Sequence, residues 1–237
     1  MSRTSRATGS SSPIKRYVDF KPGPGVFRYY DKEASKNVDI PSMDIIILDV
    51  LASVTGWYEG DSGGTQISSN MVKNISNDVL TVRANKNKNF SKPITLHEGI
   101  YDKAAIKMFD GKYTTNIICL ADFDDGEGRV MTRIQLSGYS VKTWTDYVSD
   151  NPYEAYLEHE INMVKGKQQK KGSTKFHGLV FKNNELSAEL GEIADKADAE
   201  FQEYFEGSPI SESLTETSTE QSDNPPLVVE DEDDIPF

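Results

Sequence analysis

Cysteine is almost missing from this chain: Cys119 is the only one. A disulfide within the chain and a cysteine-built zinc site are therefore excluded. Histidine is nearly as scarce, with only His97, His159 and His177. No Gly-x-x-x-x-Gly-Lys-Ser/Thr string is present, so a phosphate loop of the ATPase kind is not expected. Apolar runs such as Ile45–Leu48 fall far short of the roughly 20 residues that cross a bilayer. Met1–Pro13 is rich in Ser, Thr and Arg and lacks an apolar stretch, so no secretory signal is expected there. These absences point to a cytoplasmic protein without cofactor, metal or membrane partner.

What the chain has instead is charge, unevenly placed. The formal net charge is −12. From Glu185 onward there are 17 acidic residues and a single base, Lys196, whereas residues 1–184 carry 25 bases against 21 acids. A mildly basic body is joined to a strongly acidic tail, an asymmetry that the average conceals.

The patterning divides the chain into a disordered basic arm over 1–12, one folded domain over 13–205 and a disordered acidic tail over 206–237. The tail is Ser/Thr/Glu-rich and has too few apolar groups to offset chain entropy. Within the body, Pro22-Gly23-Pro24-Gly25 predicts a turn before a short strand at Val26–Tyr30, and the β-branched segment Asp44–Tyr58 predicts a long buried strand ending on a packed Trp57. Val79–Asn85 alternates, with Leu80, Val82 and Ala84 on one face. Tyr113–Asp122 and Arg129–Ser137 form a predicted hairpin whose Asp125-Gly126 step suits a tight connection. Its second strand puts Val130, Thr132, Ile134 and Leu136 on one face and Arg129, Met131, Arg133 and Gln135 on the other. A short helix is expected at Val141–Val148, with Trp144 packed, and a second from Pro152 to about Val164. A basic loop over Lys165–Lys175 then leads to a last strand, Phe176–Phe181. Leu186, Leu190, Ile193, Ala197, Phe201 and Phe205 recur at helical spacing and predict one amphipathic helix, ended by Gly207-Ser208-Pro209. Many short strands with few helices imply a mainly β fold, an OB-fold-like barrel with peripheral helices.

The chain closes on Asp231, Glu232, Asp233, Asp234, Ile235, Pro236 and Phe237. Four acids attract a basic rim, Pro236 restricts the backbone, and Phe237 offers a ring and a carboxylate to one pocket. Asp233-Asp234-Ile235-Pro236-Phe237 is similar, residue for residue, to the acidic tip of bacterial single-stranded-DNA-binding proteins. The body resembles more the phage-encoded members, which join a divergent OB-fold to such a tail. This resemblance implies a protein of the bacterial host's cytoplasm that coats single-stranded DNA. It also implies a tip that captures replication, recombination or repair proteins.

Sequence-tolerant binding of single strands needs cations along the phosphate path and aromatic faces for stacking. Lys15, Arg16, Tyr17 and Lys21 interleave the two, and Arg28 and Tyr29 follow. Arg83, Lys86, Lys88, Phe90 and Lys92 occupy a strand end and loop, and Arg129 and Arg133 stand on the polar face of their strand. Tyr17, Tyr29 and Phe90, flanked by bases, suit stacking and core packing alike. Lys165, Lys167, Lys170 and Lys171 belong to the densest basic segment and are expected to clamp phosphates.

Two enzyme-like strings fail on inspection. Gly60-Asp61-Ser62-Gly63-Gly64 matches the nucleophile motif of chymotrypsin-like proteases, yet no His precedes Ser62 as that chemistry requires. Asp122, Asp124, Asp125 and Glu127 miss the calcium-loop spacing, because Gly126 falls where a ligand belongs. The expected function is therefore non-enzymatic: a single-stranded-DNA-binding protein, with self-association along DNA. The rival is an adaptor or inhibitor whose tip occupies a host replication protein without DNA binding. A nuclease built on the Asp122–Glu127 cluster is the third reading.

Overall fold

A computed structural model describes residues 12–60, 63–85, 92–123, 125–151 and 156–207. In chain order the elements are β1 (Arg16–Lys21), β2 (Val26–Asp31), β3 (Lys36–Ile40), β4 (Ser42–Gly60), β5 (Gly63–Ser69), β6 (Leu80–Ala84) and β7 (Ile94–Gly99). Then come α1 (Lys103–Lys107), β8 (Gly111–Asp122), β9 (Arg129–Ser137), α2 (Tyr139–Asp150), β10 (His159–Lys171), β11 (Thr174–Glu185) and α3 (Ala188–Gly207). The protein is mainly β, built on an open, mixed sheet of 11 strands. Its main path runs β3-β2-β1-β9-β8-β4-β5-β6-β7, with β10 paired to β4 and β11 to β10. The β1–β9 pair is parallel; the other strand pairs are antiparallel.

The sheet is organised around β4. One edge pairs with β8 from Ile45 to Gly56, while the other pairs with β10 over Ser42–Ile46 and with β5 over Thr55–Gly60. A bulge between Ile47 and Asp49 shifts the register, and a one-residue shift sends every later side chain to the opposite face. Before the bulge Ile45 and Ile47 face the main core and Ile46 and Leu48 the opposite cluster; after it Leu51 lies in that opposite cluster and Ala52 and Val54 do not.

Three apolar clusters hold the layers together. The largest packs Phe27, Ile45, Ile117, Ile134 and Leu136 under α2, whose Trp144 is 5% exposed against Tyr147, Tyr156 and Phe181. On the other face α3 lays Ala194 and Phe201 over Ile46, Leu48, Leu51, Ile118 and Met131, with Leu190, Ala197 and Phe205 alongside. Ile193, expected on this stripe, is exposed, and the buried position falls to Ala194. A third cluster joins Leu80, Val82 and Ala84 of β6 to Val54, Ile67 and Ile106. Ile106 lies on α1, whose first turn is capped by the Asp102 carboxylate accepting from the Ala104 and Ala105 N–H groups.

Three sequence expectations are corrected. The helix expected to continue to Val164 gives way to β10: Tyr156 and Leu157 are helical, but from His159 the chain is extended, with Ile161 and Met163 fully buried at a period of two. Pro152 lies outside the described residues. The basic loop is instead the far half of a β-hairpin, paired to Lys171↔Thr174 and turned at Gly172 with φ 59°. Trp57 is not in the core; it is 45% exposed. The bulge is the reason, since it moves the odd-numbered end of β4 away from the main core. Among the described residues no helix is long and apolar enough to cross a membrane.

Candidate nucleic-acid interface

An exposed cation serves a phosphate only if the fold has not already engaged it. Most of the arginines fail that condition. The Arg16 guanidinium donates to Asp125 (2.5 Å) and Glu127 (3.4 Å) and lies 4.3 Å from the Phe123 ring centre and 5.1 Å from that of Tyr29. It latches β1 to the β8–β9 turn, and two carboxylates of the acidic cluster are spent on it. The Glu127 backbone N–H, and then Arg16, hold the Asp125 carboxyl below its ordinary range. Tyr29 is 7% exposed and edge-on to Phe123 at 4.8 Å, so its ring is part of the core. Arg28 forms a fork with Asp39 across β2–β3, Nε donating at 2.6 Å and Nη2 at 2.8 Å. This hydrogen bond pulls the Asp39 carboxyl below its usual value. Arg129 pairs with Glu160 and donates to the Asp44 carbonyl, tying β9 to β10 and β4.

Arg133 differs. It faces Tyr17 in the parallel β1–β9 register, its guanidinium 4.9 Å from the ring centre, and burial lowers its pKa. The contact is a cation–π pair, and Tyr17 is half-buried beside the cluster that α3 covers. Lys21 pairs with Asp19 at 3.2 Å, and Lys15 is exposed while its backbone N–H donates to the Met131 carbonyl. Arg83 stands half-buried opposite Ser68 on β6 and has a partner of its own. Lys92 is exposed; Lys86, Lys88, Phe90 and the tip Asp231–Phe237 lie outside the described residues.

The β10–β11 hairpin is where free cations gather. Residues 165–175 hold five lysines and no acid. Lys165, Lys167, Lys170 and Lys175 are exposed and make no ion pair or hydrogen bond among the described residues, while Lys171 is engaged within the fold. Lys170 and Lys175 sit directly opposite each other, a like-charge pair that works against the hairpin's own stability.

The fold holds this charged hairpin in place. Phe176 packs edge-on to Tyr139 of α2 at 5.1 Å, and the Gln169 amide donates to the Tyr139 hydroxyl at 2.9 Å. The His177 N–H donates to the Pro22 carbonyl at 2.8 Å. Gly25, at φ +69°, leaves the space where a Cβ would stand 3.0 Å from the His177 ring and from the Lys165 stem. The lysine half of the hairpin is thus gripped by α2 and the β1–β2 turn. Its tip runs past Ser42, the last β4 residue paired with β10. A groove of about 520 Å³ between α2 and β11 is bordered by Asp146 and Asp150 beside Tyr147 and Phe181. Those carboxylates repel phosphate and leave the lysine face as the cationic side of the hairpin.

Sequence reasoning missed Trp57 as a surface residue, because nothing in the residues signals the bulge that turns it outward. Neither a family model, nor a curated protein sequence, nor a solved structure matches this chain.

Proposed function

We propose that this chain is a sequence-nonspecific, non-enzymatic single-stranded-DNA-binding protein. It coats exposed strands in replication, recombination or repair and recruits other proteins through Asp231–Phe237. The observation that carries the reading is the β10–β11 hairpin, with five lysines and no acid over residues 165–175 and four of the five exposed without a partner among the described residues. Lysine presents a point charge on a flexible stem, which suits phosphates irrespective of base sequence. A cross-strand Lys–Lys pair is costly in the free protein and becomes favourable once a polyanion lies over it.

An opened, divergent OB-like barrel is the fold that accompanies this function. It is supported by the bulged β4, whose two halves pair with different strands. The likeness of the body to phage-encoded single-stranded-DNA-binding proteins, and a place in the bacterial host's cytoplasm, belong to the same proposal.

The adaptor reading draws support from the arginines, since Arg16, Arg28 and Arg129 are each neutralised by a carboxylate. Fluorescence anisotropy with labelled oligo-dT separates the two. The DNA-binding reading expects tight association that weakens steeply with salt; a flat titration at low salt would establish the adaptor. Added magnesium tests the nuclease reading in the same tube, where an intact oligonucleotide is expected.

A further inference from the structure

We infer that Trp57 stacks on a nucleobase of the bound strand and forms a second contact surface at the far end of β4 from the lysine hairpin. The inference rests on the single-stranded-DNA-binding reading and adds to it the residue that meets a base.

The chain has two tryptophans and treats them oppositely. Trp144 is 5% exposed and ringed by Tyr147, Tyr156 and Phe181, whereas Trp57 is 45% exposed and its indole makes no ring contact or side-chain hydrogen bond among the described residues. An indole left open in this way forgoes the burial that usually stabilises it. Its position is nevertheless built. The bulge at Ile47/Asp49 puts it on the face of β4 that α3 covers nearer the strand's start, and Gly64 on β5 makes room for it. A Cβ at Gly64 would stand 2.1 Å from the indole Nε1, 2.5 Å from Cε2 and 2.8 Å from Cζ2. The ring therefore rests against bare backbone, which positions it without covering it. Glycine inside a strand weakens it and marks such a close approach.

The surroundings identify the occupant. Gln66 lies opposite Trp57, and Thr55, Ser68 and Arg83 line up across β4, β5 and β6 on the same face, with Lys112 opposite Thr55. Glu59 borders the ring on the strand-end side, two residues on. One open ring among hydroxyls, an amide and bases is not the contiguous apolar patch that a protein partner would use. It suits one flat, sequence-tolerant base with phosphates beside it. The Asn85 N–H donates to the Gln66 carbonyl, so the end of β6 lies about two strand spacings, roughly 10 Å, from the ring.

The test is a titration of the full chain with oligo-dT, reading tryptophan emission and labelled-oligonucleotide anisotropy in parallel. Stacking on Trp57 quenches the emission. In Trp57→Phe, where only buried Trp144 emits, the quench disappears while most of the affinity remains. Trp57→Ala weakens binding on the order of 10-fold with an unchanged melting midpoint. Gly64→Ala, which keeps the indole but pushes it off its seat, weakens binding as well. Anisotropy showing full binding, without a quench and with Trp57→Ala at wild-type affinity, would overturn the role of Trp57 and leave the DNA-binding reading standing. No association by anisotropy at any salt would remove both.

Discussion

Replacing Lys165, Lys167, Lys170 and Lys175 together by glutamine probes the hairpin with a magnitude that can be worked out beforehand. Each phosphate contact on a single strand contributes about 0.7 to the slope of log affinity against log salt. Four contacts contribute about 2.8, so between roughly 50 and 200 mM salt they account for about a 50-fold loss of affinity. The quadruple variant should lose that part of the slope and bind most weakly relative to the parent at low salt. Its fold should not suffer, because the four side chains are exposed and unpartnered among the described residues. Relief of the Lys170–Lys175 opposition should stabilise the hairpin by about 0.2–1 kcal/mol, a rise of at most about 2–4 °C in melting midpoint for a domain of this size. Anisotropy at four or five salt concentrations, with a thermal melt of each variant, gives both readings. An unchanged salt slope would refute the assignment of phosphate contacts to the hairpin. A fall of many degrees in the melt would refute the claim that these lysines are idle in the fold.

Further outcomes follow from the tail, the ion pairs and the helix. Deletion of Asp231–Phe237 should abolish capture of replication or repair proteins while DNA affinity holds or rises; a large loss of DNA affinity in that truncation would contradict the two-part organisation. Asp39 should titrate below the ordinary aspartate value of about 3.9 in a carboxyl NMR titration, because its hydrogen bond with Arg28 favours the charged form. A depressed folded pKa means stability that is present at neutral pH and lost as pH falls through that value, and Arg28→Leu should return Asp39 to the ordinary range. The pair is well exposed, so the accompanying change in stability should stay within about 1 kcal/mol. Phe201→Ala, at a fully buried ring of α3, should cost about 3–5 kcal/mol by urea unfolding; a cost below about 1 kcal/mol would mean that α3 is not docked.

How much of this was legible in the residues depends on whether the signal was local. The β8–β9 hairpin was readable because alternation and an Asp-Gly step agree, and Val130, Ile134 and Leu136 are indeed buried. The last helix was readable from its three- and four-residue spacing. β10 was misread because Leu157, Ile161 and Val164 also fit a helical period, while the pairing that decides the matter comes from β4 and β11, remote in sequence. Its lysine half has no apolar pattern at all and is a strand only because β11 lies beside it. Trp57 was lost to a bulge. Of the candidate site, the charge was legible, but the partners that consume Arg16, Arg28 and Arg129 were not, since Asp125, Asp39 and Glu160 reach them only through the strand order.

The parallel β1–β9 pair also sets an order of events in time. Arg16 aligns with Thr132 and Asp19 with Gln135, so the first strand of the sheet finds its seat only after more than a hundred further residues have left the ribosome. Until then β1, β2 and β3 can pair with one another but lack the strand on which β1 aligns. Contacts of such long sequence separation form late and slowly. The three strands join the rest of the sheet through β1 alone, with the Arg16 latch beside that seam. They are accordingly made first and fastened only once β9 has followed, with β10, β11 and α3 still to come.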